Sequence, residues 1–298
     1  MNITIIGAGR MGAAIACIFA AAGHRVSLVE TNPQVRATVP DRIAGIDQTL
    51  ERASDIGDRI QVRDALTSDV AQSDFVIEAV SENLEIKQAI FKELDRLCPP
   101  GTILASNTSV IPITSIGLGV NHRHRVVGTH FWNPPFIFRL VEVVQTESTS
   151  PEVVERTMSI LKSVGQEPVH IRKDVPGFVG NRLQHALKRE AIALVEAGVC
   201  DAETVDFVVK NSFGPRLAVL GPLEQSDLVG LDLTLAIHQV LLETLDCSRA
   251  PQKLLVERVA AGKTGMKAGE GFRKWTREQA QAVQDRLLAY KPNRKSQA

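Results

Sequence analysis

Apolar residues in the first half of the chain fall in short blocks bounded by turn or polar residues: 3–6, 26–29, 75–80, 103–105 and 126–127. Blocks of this length, apolar on both faces, predict buried parallel strands. Between them lie segments of helical period, such as Leu84, Ile90, Leu94 and Leu97. Strand and helix alternating in this way predict an α/β fold, a Rossmann-type doubly wound parallel sheet. The alternation fades near residue 172. From Gly177 onward the spacing is helical: Val179, Leu183, Ala186, Leu187, Leu194 and Val195 share one stripe, and Val205, Val208 and Val209 begin another. An all-helical C-terminal domain is therefore expected to follow, with the boundary near Lys173 to Pro176, giving domains over 1–174 and 175–298. The segment from Tyr290 to Ala298 carries Lys291, Arg294 and Lys295 without an apolar partner and reads as a frayed tail.

Composition narrows the function classes. The 298 residues hold 34 Lys+Arg against 34 Asp+Glu, with 44% hydrophobic and 23% charged positions, so no basic excess asks for nucleic acid. Cys17, Cys98, Cys200 and Cys247 are scattered singly, without metal-site spacing, so no metal is expected and reduced thiols are. No basic leader precedes the first strand, and no apolar run reaches the roughly twenty residues a bilayer needs. A cytoplasmic protein without a membrane span is expected.

Gly7, Gly9 and Gly12, with Arg10 and Met11 between the last two, form a GxGxxG directly after the first strand and ahead of the small, helix-forming residues 13–22. Gly7 permits the tight turn, Gly9 lets a pyrophosphate approach the backbone, and Gly12 allows close helix–strand packing, while the helix N-terminus offers N–H groups to phosphate. Glu30 closes the second strand block 18 residues after Gly12. An acid there accepts hydrogen bonds from both adenosine ribose hydroxyls and repels a 2′-phosphate, which favours NAD over NADP.

The segment Gly128-Thr129-His130-Phe131-Trp132-Asn133-Pro134-Pro135 precedes Leu140-Val141-Glu142-Val143-Val144. If the two apolar runs pair as antiparallel neighbours, His130 and Glu142 sit side by side, and the carboxylate fixes the imidazole tautomer and raises its basicity. Such a pair can be the general base for an alcohol proton or a structural contact, and the residues alone leave both readings open.

Seven segments in order, GAGRMG, SENLEIK, ASNTS, GTHFWNPP, LVEVV, PGFVGNRL and KAGEGF, resemble the L-3-hydroxyacyl-CoA dehydrogenase family over nearly the whole chain. The resemblance implies an NAD-dependent oxidation of a 3-hydroxyacyl compound, a place in fatty acid metabolism and a homodimer paired through the helical domain. It implies His130 as general base, Glu142 as its orienting partner, and Ser109 and Asn181 as contacts of the reacting oxygen. Glu82, Lys87, Asn133 and Lys267 match positions near the cofactor. Glu82 could equally favour a helix start, Asn133 a turn, and Lys87 and Lys267 solvated surface.

Three features bear on the substrate. The Asn133-Pro134-Pro135 form looks like relatives that oxidise small free acids, among them L-gulonate and L-carnitine dehydrogenases, lambda-crystallin and a pyridine-carboxylate dehydrogenase of pyridoxine degradation. The stretch 31–60 has no lysine, and its arginines Arg36, Arg42, Arg52 and Arg59 are outnumbered by Asp41, Asp47, Glu51, Asp55 and Asp58, the wrong sign for the phosphates of coenzyme A. Arg216, in the stretch from Phe213 to Leu223, could clamp a free carboxylate bidentately or sit idle on the surface. The substrate is thus expected to be a 3-hydroxyacyl-CoA or a small hydroxy acid or aldehyde carboxylate. A non-catalytic NAD-binding protein is the alternative of a different class.

Overall fold

The computed structural model describes residues 1–50 and 56–290, and only the backbone for 48–50 and 68–69. The frayed tail expected over 290–298 lies outside the described residues beyond Tyr290, as do Glu51, Arg52 and Asp55.

Among the described residues there are eight strands: β1 (Asn2–Ile6), β2 (Arg25–Val29), β3 (Ile60–Arg63), β4 (Phe75–Glu78), β5 (Ile103–Ser106), β6 (Val126–Phe131), β7 (Leu140–Val144) and β8 (Glu167–Ile171). They form one sheet in the order β3-β2-β1-β4-β5-β6-β7-β8. The pairs from β3 through β6 are parallel, β7 runs antiparallel to β6, and β8 runs parallel to β7. This is the doubly wound architecture expected, with two additions. Neither β3 nor β8 is apolar enough to stand out in the sequence: Ile-Gln-Val-Arg and Glu-Pro-Val-His-Ile alternate, and both are edge strands, where a polar face and a proline are tolerated. The block expected over 75–80 stops pairing at Glu78, and Glu30 lies one residue beyond β2.

Strand alternation sends successive side chains into two cores. Ile3, Ile5, Phe75, Ile77, Ile103 and Val127 pack with Phe19 of α1 (Arg10–Ala21) and Leu161 of α6 (Pro151–Ser163). On the other face Ile6, Val76, Leu104 and Val126 pack with Phe91 and Leu94 of α4 (Leu84–Leu97) and with Ile113 and Ile116 of α5 (Ile113–Ile116). Between β2 and β3 run α2 (Pro33–Ala37) and α3 (Val39–Leu50).

The chain divides into compact units at Arg182/Leu183. The division falls inside α7 (Gly180–Glu196), because the start of that helix is bonded to the sheet, as described below. The second unit continues with α8 (Ala202–Asn211), α9 (Phe213–Arg216), α10 (Pro222–Val229), α11 (Leu231–Leu241), α12 (Lys253–Ala260) and α13 (Arg277–Leu288). It is all-helical, as the spacing predicts. Yet Leu183 and Leu187, on the stripe expected to face a core, are exposed, and no helix from α7 to α13 has a buried residue.

Candidate active site

The glycine-rich loop is shaped by contact. Gly7 has φ +95°, and a Cβ there would lie 2.7 Å from the Ala79 carbonyl oxygen; one on Gly12 would lie 1.8 Å from the Gly7 carbonyl oxygen. A Cβ on Gly9 meets nothing within 4 Å, so Gly9 is an open approach to the backbone. Gly9 also caps α1, whose N-terminus has neither a side-chain cap nor an acid in its first turn. The free N–H groups and the clear surface suit a diphosphate, and the site fits NAD. Arg10 is exposed and Met11 half-buried at the start of that helix.

Glu30 accepts from Ala8 N at 2.9 Å through Oε2 and from Asn32 N at 2.9 Å through Oε1, which fixes its carboxylate beside the loop. Two arginines of the lysine-free stretch bond back onto the same place. Arg42 Nη1 donates to Ala8 O at 2.9 Å and Arg36 Nη1 to Glu30 O at 2.8 Å. Composition alone marked them as part of an acidic arm; the fold ties both to the cofactor loop.

A second network lies at the ends of β4 and β5. Glu78 is fully buried and accepts from Val80 N at 2.7 Å, Ser106 Oγ at 2.6 Å and Lys87 Nζ at 2.7 Å. Lys87 is only 1% exposed, so it is not the solvated surface charge that was one of its readings, and its ammonium also lies 3.3 Å from Glu82 Oε2. Glu82 Oε1 accepts from Thr108 Oγ1 at 2.5 Å, Ser109 N at 2.9 Å and Val110 N at 3.1 Å. Burial pushes the Glu82 carboxyl up, but the Thr108 hydroxyl, Lys87 and the two N–H groups outweigh it and hold it below the ordinary range. Ser109 is exposed, and Asn107 ties its loop to β6 by accepting from Phe131 N at 3.0 Å.

In the β6–β7 register His130 stands opposite Glu142, as the hairpin expectation required. His130 Nδ1 is 2.8 Å from Glu142 Oε2, and both residues are buried. The other oxygen, Oε1, accepts from Val179 N at 2.9 Å and Gly180 N at 3.1 Å, at the start of α7. Burial raises the Glu142 carboxyl, while His130 and the N–H groups of Gly180 and Val179 more than offset this and lower it. An ionised Glu142 accepts, so Nδ1–H donates and Nε2 is left as the basic nitrogen.

The chain reaches Glu142 through consecutive left-handed residues, Gly177 at φ +75° and Phe178 at φ +51°. Positive φ in a bulky residue is strained and persists only where surroundings hold it. Phe178 is fully buried, its ring 5.7 Å from that of His130. One residue after Gly180, Asn181 Nδ2 donates to Ser109 O at 2.9 Å. Residues 179–181 thus hold both the His130 partner and the Ser109 loop.

Asn133 is exposed and joined to Pro134 by a cis peptide bond. Arg216 and Lys267 belong to the helical unit, where both are exposed. Arg216 ends α9, and Lys267 lies on a cavity of about 740 Å³ lined by residues such as Ile192, Val195, Phe272 and Trp275. Among the described residues no His/Cys/Asp/Glu group could hold a metal, and no helix is long and apolar enough to cross a membrane.

Sequence reasoning did not single out Glu78, Phe178 or Trp132, and it weighed Arg36 and Arg42 only in the charge of the 31–60 stretch. Glu78 had a signal, a lone acid ending an apolar strand; the strain at Phe178 had none.

Residues 2–175 match the NAD binding domain of 3-hydroxyacyl-CoA dehydrogenase, and residues 177–275 match its C-terminal domain. The chain belongs to the 3-hydroxyacyl-CoA dehydrogenase family. It is 37% identical over 299 residues to the 5-formyl-3-hydroxy-2-methylpyridine 4-carboxylate 5-dehydrogenase of Mesorhizobium japonicum, covering 95% of this chain and 93% of that one. It is 38% identical over 283 residues to a probable 3-hydroxybutyryl-CoA dehydrogenase of Bacillus subtilis, covering 91% and 96%. A crystal structure of a 5-formyl-3-hydroxy-2-methylpyridine 4-carboxylic acid 5-dehydrogenase, described as an NAD+-dependent dismutase, superposes with a TM-score of 0.90 at 35% identity, covering 96% and 94%. The protein is thus an NAD-dependent oxidoreductase of a family acting on CH–OH groups.

Proposed function

We propose that this family member oxidises the hydroxyl of a 3-hydroxyacyl compound or small hydroxy acid, with His130 as the base and Glu142 as its orienting partner. The observation that carries this reading is the buried 2.8 Å contact between the two, with Glu142 held in turn by the start of α7. His130 Nε2 takes the hydroxyl proton as the carbon–hydrogen bond breaks, and the hydrogen leaves with its electron pair; NAD, when bound, supplies the acceptor. Ser109 Oγ and the Asn181 amide sit on adjoining segments and hold the reacting oxygen. Gly7, Gly9, Arg10, Met11, Gly12 and Glu30 form the nucleotide side, with Asn133 and Lys267 as further cofactor contacts. Lys87 acts through Glu82, which sets the 108–110 loop.

A second reading of the substrate, a small free acid or aldehyde carboxylate, is favoured by two observations. Arg36 and Arg42 each spend a guanidinium N–H on a backbone carbonyl, of Glu30 and Ala8, in a stretch without lysine whose acids outnumber its arginines, which makes it a poor receiver of coenzyme A phosphates. The 0.90 superposition is on an enzyme whose name carries a free carboxylate. Arg216 is the candidate carboxylate clamp on this reading. A cytoplasmic setting agrees with the unpaired thiols of Cys17, Cys98, Cys200 and Cys247. The exposed apolar helices are the surface through which two copies pair.

The test is kinetic. His130→Ala should lower kcat by about 10²–10⁴ while NAD still binds. An unchanged kcat removes His130 from the mechanism. Rates for 3-hydroxybutyryl-CoA measured beside a panel of free hydroxy acids and aldehyde carboxylates decide the substrate: a large preference for the thioester overturns the second reading.

A further inference from the structure

We propose that Trp132, seated by Gly180, is a specificity-determining residue that selects a planar aromatic acid or aldehyde over a flexible acyl chain. The inference rests on His130 being the base, and it deepens the substrate reading.

The placement follows from strand period. Residues two apart on a strand share a face, so Trp132, just beyond β6, follows His130 on the same side. The two ring centroids are 5.4 Å apart with an interplanar angle of 58°. Because Glu142 occupies Nδ1, a substrate must approach His130 at Nε2, with aromatic rings as its neighbours. Phe178 is fully buried and out of reach, whereas Trp132 is only half-buried and offers ring surface.

Gly180 reserves the position of the indole. A Cβ at 180 would lie 2.2 Å from Trp132 Cζ2 and 3.0 Å from Cη2, so any side chain there would push the ring off its site. A large flat ring, held in place and partly open beside a base, suits a planar conjugated ring. Stacking adds to simple burial by an amount that corresponds to about tenfold in binding, and a saturated acyl chain gains none of it.

The chain contains two tryptophans, Trp132 and Trp275. In a Trp275→Phe variant the emission belongs to Trp132, and titration with 3-hydroxypyridine-4-carboxylate in the presence of NAD should quench it saturably. The same titration of Trp132→Phe should show no quenching, with NAD still bound. In kinetics, Trp132→Leu and Gly180→Ala should each lower the ratio of kcat/KM for 5-formyl-3-hydroxy-2-methylpyridine 4-carboxylate over that for 3-hydroxybutyryl-CoA by about tenfold. Absence of quenching in Trp275→Phe overturns the proposal, as does a kinetic ratio that both variants leave unchanged. Should wild-type protein turn over neither compound, both substrate readings fail for these two compounds, and the quenching still decides whether Trp132 meets an aromatic ligand.

Discussion

The sheet unit and the helical unit follow the same apolar periodicities to opposite results. In the sheet unit the predicted strand blocks bury apolar residues on both faces, and residues such as Ile5, Ile77 and Leu104 are sealed completely. In the helical unit the spacing is as regular, yet Leu223 is 79% and Val240 75% exposed, and Leu231, Leu235 and Val219 are exposed as well. Periodicity shows which side of a helix must be covered and leaves open which chain covers it. Exposed apolar surface on this scale marks an interface: the sheet unit carries its own core, and a second copy of the chain is the partner proposed for the helical unit.

The largest effect is expected from breaking that difference directly. Leu231→Glu with Leu235→Glu should convert the proposed dimer to monomer or aggregate by light scattering, while NAD binding by the sheet unit persists; a mass that the variant leaves unchanged would overturn pairing through this face. Next comes the interior of the sheet unit. Arg125 is buried and donates to Asp95 Oδ1 at 2.9 Å, to Asp95 O at 3.0 Å and to Cys98 O at 3.1 Å, tying the end of α4 to the start of β6. Arg125→Met leaves Asp95 charged and without this partner, and should cost about 3–5 kcal/mol in urea unfolding.

A smaller effect comes from acid. Burial raises the Asp95 carboxyl, but Arg125, the Asn121 N–H and His122 outweigh it and bring it down to about 2. A depressed carboxyl stabilises the fold above its unfolded value near 4, and this contribution, about 2 kcal/mol, is lost as pH falls from about 4 to about 2. The difference in unfolding free energy between wild type and Asp95→Asn should shrink over that range; a difference independent of pH would assign the Asp95 contribution to packing. The smallest effect belongs to the helical unit: Arg273 contacts Glu203 at 2.8 Å and Asp206 at 3.3 Å, with both acids exposed. Arg273→Met should cost no more than about 1 kcal/mol, and a loss as large as that of Arg125→Met would erase the contrast between the units.

What could be read from the sequence followed the range of the interactions. Gly7, Gly9, Gly12 and Glu30 are legible because a strand, a turn, a helix start and an acid come in fixed order. His130 and Glu142 are legible as neighbours because a hairpin sets their register. Asn181 meeting Ser109, 72 positions away, depends on how α7 returns to the sheet, and only the family resemblance named these residues together. Lys87 read as a surface charge or a cofactor contact, since its spacing does not reveal that Glu78 lies beneath it. The edge strands β3 and β8 escaped notice because one polar face is enough at the margin of a sheet.

The double duty of Glu30 limits how this enzyme's coenzyme preference could be re-engineered. Its carboxylate closes the hydrogen bonds of Ala8 and Asn32 in addition to its proposed role toward the ribose, and Arg42 holds the Ala8 carbonyl. Replacing it with a neutral or basic residue, the usual first step toward a phosphorylated coenzyme, would strip two backbone donors of their acceptor at the turn that must cradle the diphosphate. A variant library aimed at that exchange should therefore vary residues 8, 30, 32 and 42 together rather than Glu30 alone.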